Sequence, residues 1–317
     1  MSDRVRLHGR GGKLAANLRA RSRARAAVRA FFDARGYLEV DTPQLVPSPG
    51  VEVHLDAFEV LGADAPRFLI TSPEYQMKRL IAGGLGNVYQ LCHCFRRDEL
   101  GALHQPEFTM LEWYRVDAGM ADVVADTEAL VAHVATAMHG APTLPGPTGT
   151  MDVSPPWDRL TVRDAFRRFA GVEVDSLLRD EARFFETLVT DIEPKLGVER
   201  PTVLYAYPAQ MASLARLSPE DPTVAERFEV YVRGIELANG FGELTDAEEQ
   251  RTRCEADLAK RARLGKPPYP LDERFLAALR EGMPSSGGVA LGFDRLVMLL
   301  LGEPVIDDVV AIPERAL

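Results

Sequence analysis

The chain has 317 residues, of which 46% are apolar, enough to bury one large core or two modest ones. A formal net charge of -10 does not favour a broad nucleic-acid-binding face, although an acidic protein can still carry a local basic groove. Three cysteines and the lack of about 18 consecutive apolar residues argue against a disulfide framework and a membrane span. We therefore expect a cytoplasmic protein in a reducing compartment.

The N-terminal segment is basic. Its first 35 residues contain ten Lys or Arg and two Asp, a bias that is also typical of organelle transit peptides. The segment continues without a break into a helical pattern from about 16 to 35, which buries Val28 and Phe31 and ends at Gly36. We expect residues 1–15 to be an N-terminal extension. The basic helix is either an ordinary surface helix or an RNA-facing one.

Short strands and one helix follow. The stretch "YLEVDTPQLVPSPG" predicts a short strand that ends in prolines, and "EVHLDAFEVL" and "RFLITS" alternate as strands. The stretch "PEYQMKRLIAGG" predicts a helix that is capped by Ser72. Two longer strands, "NVYQLCHCFRR" and "EFTMLEWYRVD", predict a hairpin whose loop of about ten residues is too long for a tight turn. We interpret Cys92 and Cys94 as buried strand residues, because alternation points His93 away from both thiols.

The second half of the chain mixes helices and strands. Residues 119–139 are predicted to be helical, and two further helical segments make about 119–200 a helical and loop insertion within a single domain, 16–317. The stretch "RFEVYVRGIELANG" predicts a strand that enters a glycine turn, and "SGGVALGFDRLVMLLLG" a glycine loop and strand before an apolar helix. Strands separated by helices, with several hairpins, predict an α+β fold with an antiparallel β-sheet flanked by helices.

Charged residues are unusually placed on the second hairpin strand. Alternation puts Phe108, Met110, Glu112 and Tyr114 on one face of that strand. Burying an unpaired Glu112 would be unfavourable by roughly several kcal/mol. We therefore expect its carboxylate to contact water, an arginine or a cationic ligand.

Two further glutamates, Glu236 and Glu243, flank the glycine-rich stretch "LANGFG". They either hold Mg²⁺ together with phosphate oxygens or are solvated acids at a turn. The glycine loop that precedes Arg295 has two similar interpretations, because a loop before a helix can bind an anion or simply turn.

In chain order, these segments resemble the motifs of the class II aminoacyl-tRNA synthetases. The stretch "RGYLEVDTPQL" resembles motif 1, with Pro43 at its proline, and "FRRD" with "HQPEFTMLEWY" resembles motif 2. The stretch "GGVALGFDRL" resembles motif 3, with Arg295 at its arginine. Two more, "TSPEYQMKRLIAGG" and "IELANGFGELTDAEEQ", are similar to the lysyl branch. The resemblance spans about 16 to 315 and implies the class II synthetase catalytic fold.

The chain has about 15 residues before its first helix, where bacterial lysyl-tRNA synthetases carry an anticodon-binding domain. This feature, and Ala290 where the synthetases typically have glycine, resemble the lysyl-synthetase paralogues that modify elongation factor P. Members of that family use ATP to activate (R)-β-lysine and transfer it to a lysine of the factor. The resemblance implies a homodimer that uses ATP, Mg²⁺ and lysine or (R)-β-lysine and has elongation factor P, not tRNA or a membrane, as its partner.

Two other functions are compatible with these motifs. One is a compact lysyl-tRNA synthetase-like ligase that charges tRNA or another amine. The other is a catalytically silent protein that binds lysine or ATP as a regulator, against which the intact arginines of motifs 2 and 3 argue.

The resemblance also implies residue roles. Arg96 would bind the α-phosphate, and Arg295 would lie over adenine and reach the γ-phosphate, so both are expected to be catalytic. Glu236 and Glu243 would be Mg²⁺ ligands. The expected ATP-binding residues are Arg96, Arg97, Asp98, His104, Gln105, Phe108, Glu236, Leu237, Gly292 and Arg295. The expected amino-acid-binding residues are Ser72, Pro73, Glu74, Glu112, Tyr114, Asn239, Glu243 and Ala290.

The sequence departs from the family pattern within motif 2. The family commonly has Asn at the position of Arg97, Glu at that of Asp98 and Asn at that of Gln105. An arginine is frequent in the family at the position of Ala102. No residue of the motifs is marked as the base for the transfer step. Our hypothesis at this level is that proximity and desolvation of the incoming amine suffice.

Overall fold

The computed structural model describes residues 11–62, 65–147 and 149–317. Within these residues the strands form one sheet of eight, one of three and one of two. The strands are β1 (Leu38–Glu39), β2 (Leu45–Val46), β3 (Glu59–Val60), β4 (Arg67–Leu69), β5 (Val88–Phe95), β6 (Glu107–Val116), β7 (Thr143–Leu144), β8 (Met151–Asp152), β9 (Asp158–Thr161), β10 (Thr202–Pro208), β11 (Val224–Val232), β12 (Ile235–Gly242) and β13 (Ser286–Gly292).

The large sheet has the strand order β1-β5-β6-β13-β12-β11-β10-β9. Its neighbours from β5 to β10 all pair antiparallel, as expected for a sheet built from hairpins. The two edge strands differ, because β1 runs parallel to β5 and β9 runs parallel to β10. The predicted α+β class is confirmed, and the sheet is mixed at both edges.

Helices cover the sheet, and the first of them already includes residues 11–15 of the predicted extension. Residues 1–10 lie outside the described part of the chain. Among the described residues, no helix is long and apolar enough to cross a membrane. The helices are α1 (Gly11–Asp33), α2 (Glu74–Ala82), α3 (Met120–His139), α4 (Val162–Ala165), α5 (Glu181–Thr187), α6 (Ala247–Arg263), α7 (Glu273–Gly282) and α8 (Phe293–Leu301).

The main core fills one face of the sheet. Helices α1, α3 and α8 pack there against Leu111 and Trp113 of β6, which are both fully buried. Phe32 of α1 stacks on Tyr89 of β5 with ring centroids 4.5 Å apart. Each large side chain that is fully buried here contributes roughly 1.5–3 kcal/mol to stability. Since alternate residues of a strand face opposite sides, the other face of β6 is free to form a site.

The predicted insertion is divided between two cores. Helix α3 packs in the main core, whereas residues 162–196 form a second apolar cluster with β10 and β11, centred on the buried side chains of Phe166, Phe184 and Ile192. This second cluster packs against the end of the large sheet that includes β10 and β11.

Two predicted glycine loops are strands instead. The stretch "LANGFG" lies within β12, and Gly287 and Gly288 lie within β13. The glycines are needed because neighbouring groups approach the backbone closely: a Cβ at Gly240 would lie 2.5 Å from the ring of Phe228. A Cβ at Gly288 would overlap the Glu243 carboxylate and the Tyr114 ring.

The interpretation of the cysteines is confirmed. Cys92 and Cys94 are buried free thiols on β5. His93 points to the other side of the strand, where its Nδ1 lies 2.5 Å from a carboxylate oxygen of Glu107.

Candidate active site

The face of the large sheet opposite the main core forms an open cleft. Strands β6, β12 and β13 contribute to its lining, together with the loop between β5 and β6 and the start of α2. The structure brings most of the predicted site residues together there. The predicted residues that line the cleft are Ser72, Glu74, Arg96, His104, Gln105, Phe108, Glu112, Tyr114, Glu236, Leu237, Asn239, Glu243, Ala290, Gly292 and Arg295.

Three predicted residues do not line the cleft. Pro73 is the residue before α2, between two that do. The Arg97 and Asp98 side chains are 40% and 79% exposed and contact each other, with Nε of Arg97 3.2 Å from the Asp98 carboxylate. Two of the four residues that depart from the motif 2 pattern, Arg97 and Asp98, therefore have their side chains at the surface.

At one end of the cleft, cationic side chains line the wall. The guanidinium carbon of Arg96 lies 5.0 Å from the centroid of the Phe108 ring, a cation–π contact. One terminal nitrogen of Arg96 is 3.8 Å from Glu99, and its buried Nε has no hydrogen-bond partner among the described residues. Arg96 thus retains hydrogen-bond donors that can bind an anion such as phosphate.

Arg295 organises the same end. Its Nη1 donates to the backbone oxygen of Glu236 over 2.7 Å, and its Nη2 lies 2.6 Å from Nε2 of His104. Burial, and then Arg295 itself, lower the pKa of His104, so the imidazole is neutral and its Nε2 accepts the hydrogen bond. We call this group of Arg96, His104 and Arg295 the cationic end.

Gln105 has a supporting position in the loop. Its Nε2 donates to Asp307 over 2.7 Å, and its Oε1 accepts from the backbone N–H of Glu314 over 2.8 Å. The side-chain amide therefore ties the loop between β5 and β6 to the C-terminal segment.

At the other end, carboxylates line the cleft. Glu112 is buried, and its two oxygens accept hydrogen bonds from Ser72 Oγ, 2.8 Å away, and Tyr114 OH, 2.6 Å away. Burial, and then the nearby Glu74, raise the pKa of Glu112 well above its usual value. The expected contact of Glu112 was water, an arginine or a cationic ligand, whereas its contacts in the protein are the Ser72 hydroxyl and the Tyr114 phenol.

Sequence reasoning missed Lys78, which is fully buried on α2. Its Nζ lies 2.5 Å from Oε1 of Glu74 and 2.5 Å from Oε2 of Glu243. Burial alone would lower the pKa of Lys78, but Glu243 and Glu74 raise it above its usual value, so it is charged. The signal was the spacing of Glu74 and Lys78, which puts the pair on one helix face. We call the group of Glu74, Lys78, Glu112 and Glu243 the carboxylate end.

Glu243 combines burial with a partial lack of partners. Burial raises its pKa to about 7, even though Lys78 acts in the opposite direction. Its Oε1 has no hydrogen-bond partner among the described residues. This oxygen is buried, so its charge is not offset by a hydrogen bond or by solvent.

Glu236 and Glu243 reach the same face through an irregularity in β12. They are seven positions apart, so a regular strand would point them to opposite faces. The register with β11 changes between the pairs Val230↔Ala238 and Tyr231↔Glu236, which leaves Leu237 as an extra residue. This bulge reverses the alternation and turns Glu236 into the cleft.

Oxygen ligands of this kind suit Mg²⁺. The Glu236 side chain keeps 36% of its surface exposed, and Oε1 of Glu243 is free of protein hydrogen bonds among the described residues. In that part of the chain, no group of three or more His, Cys, Asp or Glu is arranged to hold a metal alone. The residues therefore fit a metal ion whose remaining ligands come from phosphate oxygens.

A buried ion pair supports the backbone next to Phe108 and Arg295. Arg21 of α1 pairs with Asp294 and donates to Thr109 Oγ1 over 2.8 Å, while Asp294 accepts from the backbone N–H of Thr109 over 2.7 Å. Thr109 follows Phe108, and Asp294 precedes Arg295. The ion pair thus fixes the backbone beside two cleft residues, and no sequence motif marked Arg21 for this role.

Comparison with known proteins agrees with this architecture. The sequence model of the tRNA synthetases class II (D, K and N) matches residues 2–316. Two relatives are named elongation factor P–(R)-β-lysine ligase. The protein from Proteus mirabilis is 43% identical over 94% of this chain and 95% of its own. The protein from Edwardsiella ictaluri is 45% identical over 93% of this chain and 94% of its own. The protein of the same name from Klebsiella pneumoniae is 42% identical over 93% of this chain and 94% of its own. The chain therefore belongs to the class II tRNA synthetase family, in the branch that these elongation factor P–(R)-β-lysine ligases form.

Proposed function

We propose that this protein uses ATP to activate (R)-β-lysine, or lysine, as an aminoacyl-adenylate and transfers it to a lysine side chain of elongation factor P. The observation that carries the proposal is the separation of charge within one cleft. A cationic end suits the phosphates of ATP, and a carboxylate end suits an amino acid with two ammonium groups. The names of the relatives support the choice of acceptor protein.

In the first half-reaction, a carboxylate oxygen of the amino acid attacks the α-phosphorus of ATP, and pyrophosphate leaves. Both reactants are anionic and repel each other. Arg96, which lines the cleft beside Phe108, would stabilise the charge that grows in the transition state. Arg295 is held by Glu236 and His104 and would bind the adenine side and the terminal phosphate.

Glu236 and Glu243, which both line the cleft, would hold Mg²⁺. Mg²⁺ bound there would supply positive charge that offsets the charge of the phosphates. Lys78 contacts Oε2 of Glu243, and Oε1 has no hydrogen-bond partner among the described residues.

At the carboxylate end, Glu74 and Glu112 would bind the ammonium groups of the substrate. Lys78 neutralises only part of the charge of Glu74 and Glu243, so the site retains negative charge for a cationic substrate. Ser72 and Tyr114 hold Glu112 in place through its two oxygens.

We also infer a cytoplasmic homodimer that forms through motif 1. Leu38 and Leu45, on either side of Pro43, are 50% and 48% exposed. Exposed apolar side chains of this size, close together in the chain, are consistent with a protein contact.

The test is to incubate the protein with ATP, Mg²⁺, elongation factor P and either α-lysine or (R)-β-lysine, and to measure the mass of the factor. We expect the factor to gain one lysyl group. An unmodified factor, together with aminoacylated tRNA in a parallel reaction, would contradict the proposal.

A variant tests the role of Arg96 in activation. Arg96→Ala should reduce amino-acid-dependent pyrophosphate exchange by at least about 100-fold, because it removes a preorganised charge at the α-phosphate. Arg280→Ala is the matched control, since Arg280 is 53% exposed and pairs with Glu248 at the surface. Substantial exchange by Arg96→Ala would refute the assignment.

A further inference from the structure

One acidic side chain in the cleft, Glu52, has no partner from another of the described residues. Glu74, Glu99, Glu112, Glu236, Glu243 and Asp294 each contact a cation or a hydroxyl group, as described above. Glu52 also lines the cleft, and its carboxylate accepts a hydrogen bond from its own backbone N–H. Within the described residues, no cation and no hydroxyl group of another residue pairs with it. A partly buried carboxylate that no other residue neutralises is unfavourable for folding, so it is a candidate for a ligand contact or a reaction.

The loop that carries Glu52 is rigidly held. Arg261 of α6 is fully buried, and its Nη1 donates to the backbone oxygens of Glu52 and Leu55, each over 2.8 Å. Its Nη2 pairs with Asp56 at 2.8 Å. Gly50 has φ +101°, and a Cβ there would overlap the Glu52 carboxylate. The backbone of this loop is thus fixed by hydrogen bonds, and the Glu52 carboxylate lies against Gly50.

Glu52 lines the same cleft as Glu74 of the carboxylate end and Arg96 of the cationic end. Glu52 interacts electrostatically with ionisable groups on three segments of the chain. These groups are Glu74 and Tyr75 on α2, Arg96 after β5, and Cys254 and Asp257 on α6. Burial, and then Glu74, raise the pKa of Glu52 to about 7, and Arg96 lowers it. The reacting carbonyl of an adenylate must lie between the amino groups at Glu74 and the phosphate at Arg96, and Glu52 lines the cleft together with both residues.

We propose that Glu52 is the proton acceptor of the second half-reaction, in which the activated amino acid is transferred to the lysine side chain of the partner protein. This inference rests on the proposed function and adds a catalytic residue to it. The hypothesis that proximity and desolvation suffice for transfer is replaced by a specific group.

The chemistry requires such a group. A lysine amine has a pKa of about 10.4 and arrives as an ammonium ion. Glu52 removes one proton, and the freed nitrogen forms a bond to the carbonyl carbon of the adenylate. The bond from that carbon to the phosphate oxygen breaks, AMP leaves with the electron pair, and the second proton on nitrogen passes to solvent. General bases of this kind contribute roughly 10²–10⁴-fold, most effectively when their pKa is near the working pH.

The experiment separates the two half-reactions in Glu52→Gln, Glu52→Asp and a control, Glu59→Gln, whose side chain is exposed on β3. Pyrophosphate exchange measures activation, and single-turnover reaction of the bound adenylate with elongation factor P measures transfer. Glu52→Gln should keep exchange within about threefold of wild type and slow transfer by at least about 100-fold. Glu52→Asp should retain an intermediate transfer rate. The wild-type transfer rate should rise with pH around 7, and this rise should be absent in Glu52→Gln.

Three results would overturn the assignment. Wild-type transfer by Glu52→Gln would show that no base is needed at this position. Equal losses of exchange and transfer would show that Glu52 binds the amino acid instead. No transfer by the wild-type protein would refute the proposed function itself, and the assignment with it, while exchange would still report whether activation occurs.

Discussion

Replacing Lys78 by methionine should destabilise the protein strongly. Lys78 Nζ is fully buried, lies 2.5 Å from Glu74 and 2.5 Å from Glu243, and is 5.9 Å from the centroid of the Tyr114 ring. Methionine preserves most of the apolar stem, so the main loss is the cation. Removing one partner of a buried ion pair leaves an uncompensated charge and typically costs about 3–5 kcal/mol. We expect that reduction in the free energy of unfolding at pH 8.

The reduction in the free energy of unfolding should depend on pH. The direction of this dependence follows from the pKa of Glu243. Its pKa in the folded protein is about 7, above the ordinary value of 4.5. The folded state therefore binds a proton more readily than the unfolded state, and stability from this group decreases as pH rises through 7. Without Lys78, which lowers this pKa, the decrease becomes larger and extends to higher pH. Each unit of additional shift corresponds to about 1.4 kcal/mol.

Urea unfolding of the wild-type and variant proteins at pH 5.5 and pH 8 tests this reasoning. The variant's deficit should be smaller at pH 5.5, where Glu243 is protonated and needs no cation. Lys78→Met/Glu243→Gln should recover part of the deficit at pH 8, because it removes the charge that lost its partner. Lys13→Met is the matched control, since the Lys13 side chain is 62% exposed. A deficit below about 1 kcal/mol, or one that is equal at both pH values, would refute the burial argument.

Two further substitutions test the carboxylate end by pyrophosphate exchange. Tyr114→Phe removes the 2.6 Å hydrogen bond to Glu112. It should raise the KM for the amino acid by about tenfold, equivalent to roughly 1.4 kcal/mol, and leave the KM for ATP unchanged. An effect on the KM for ATP alone would contradict the assignment. Gly288→Ala places a methyl group against the Glu243 carboxylate and the Tyr114 ring and should also weaken amino-acid binding. Ala277→Gly, on α7, controls for small-residue changes away from the cleft, and unaltered amino-acid binding in Gly288→Ala would argue against the tight packing.

Local patterns in the chain were sufficient to predict much of the fold. The hairpin of β5 and β6, the helix α3 and the apolar helix α8 were each predicted from periodicity and matched the structure. The common face of Phe108, Met110, Glu112 and Tyr114 was predicted as well, because strand alternation depends only on neighbouring residues. The two glycine segments were predicted wrongly as loops, since close packing between strands also requires glycine and leaves the same local signal.

The partners of the charged side chains could not be predicted in this way. Lys78 contacts Glu243, and Gln105 contacts Asp307, although the two residues of each pair are far apart in the chain. Such contacts depend on which segments become neighbours in the folded protein. Arg97 and Asp98 lie beside Arg96 in the chain, yet their side chains are at the surface.

For the site as a whole, the order of the motifs and the chemistry of their side chains can be read from the amino-acid sequence alone, because both are properties of short segments. The direction of Glu236, which depends on a bulge at Leu237, is a property of strand register. Two features exist only after distant segments have packed. One is that Glu52 lacks the partner from another residue that the other acids of the cleft have. The other is the buried cation, Lys78, that Glu74 and Glu243 share. Charge pairing acts over a few ångströms in space, and the folded chain alone specifies those distances.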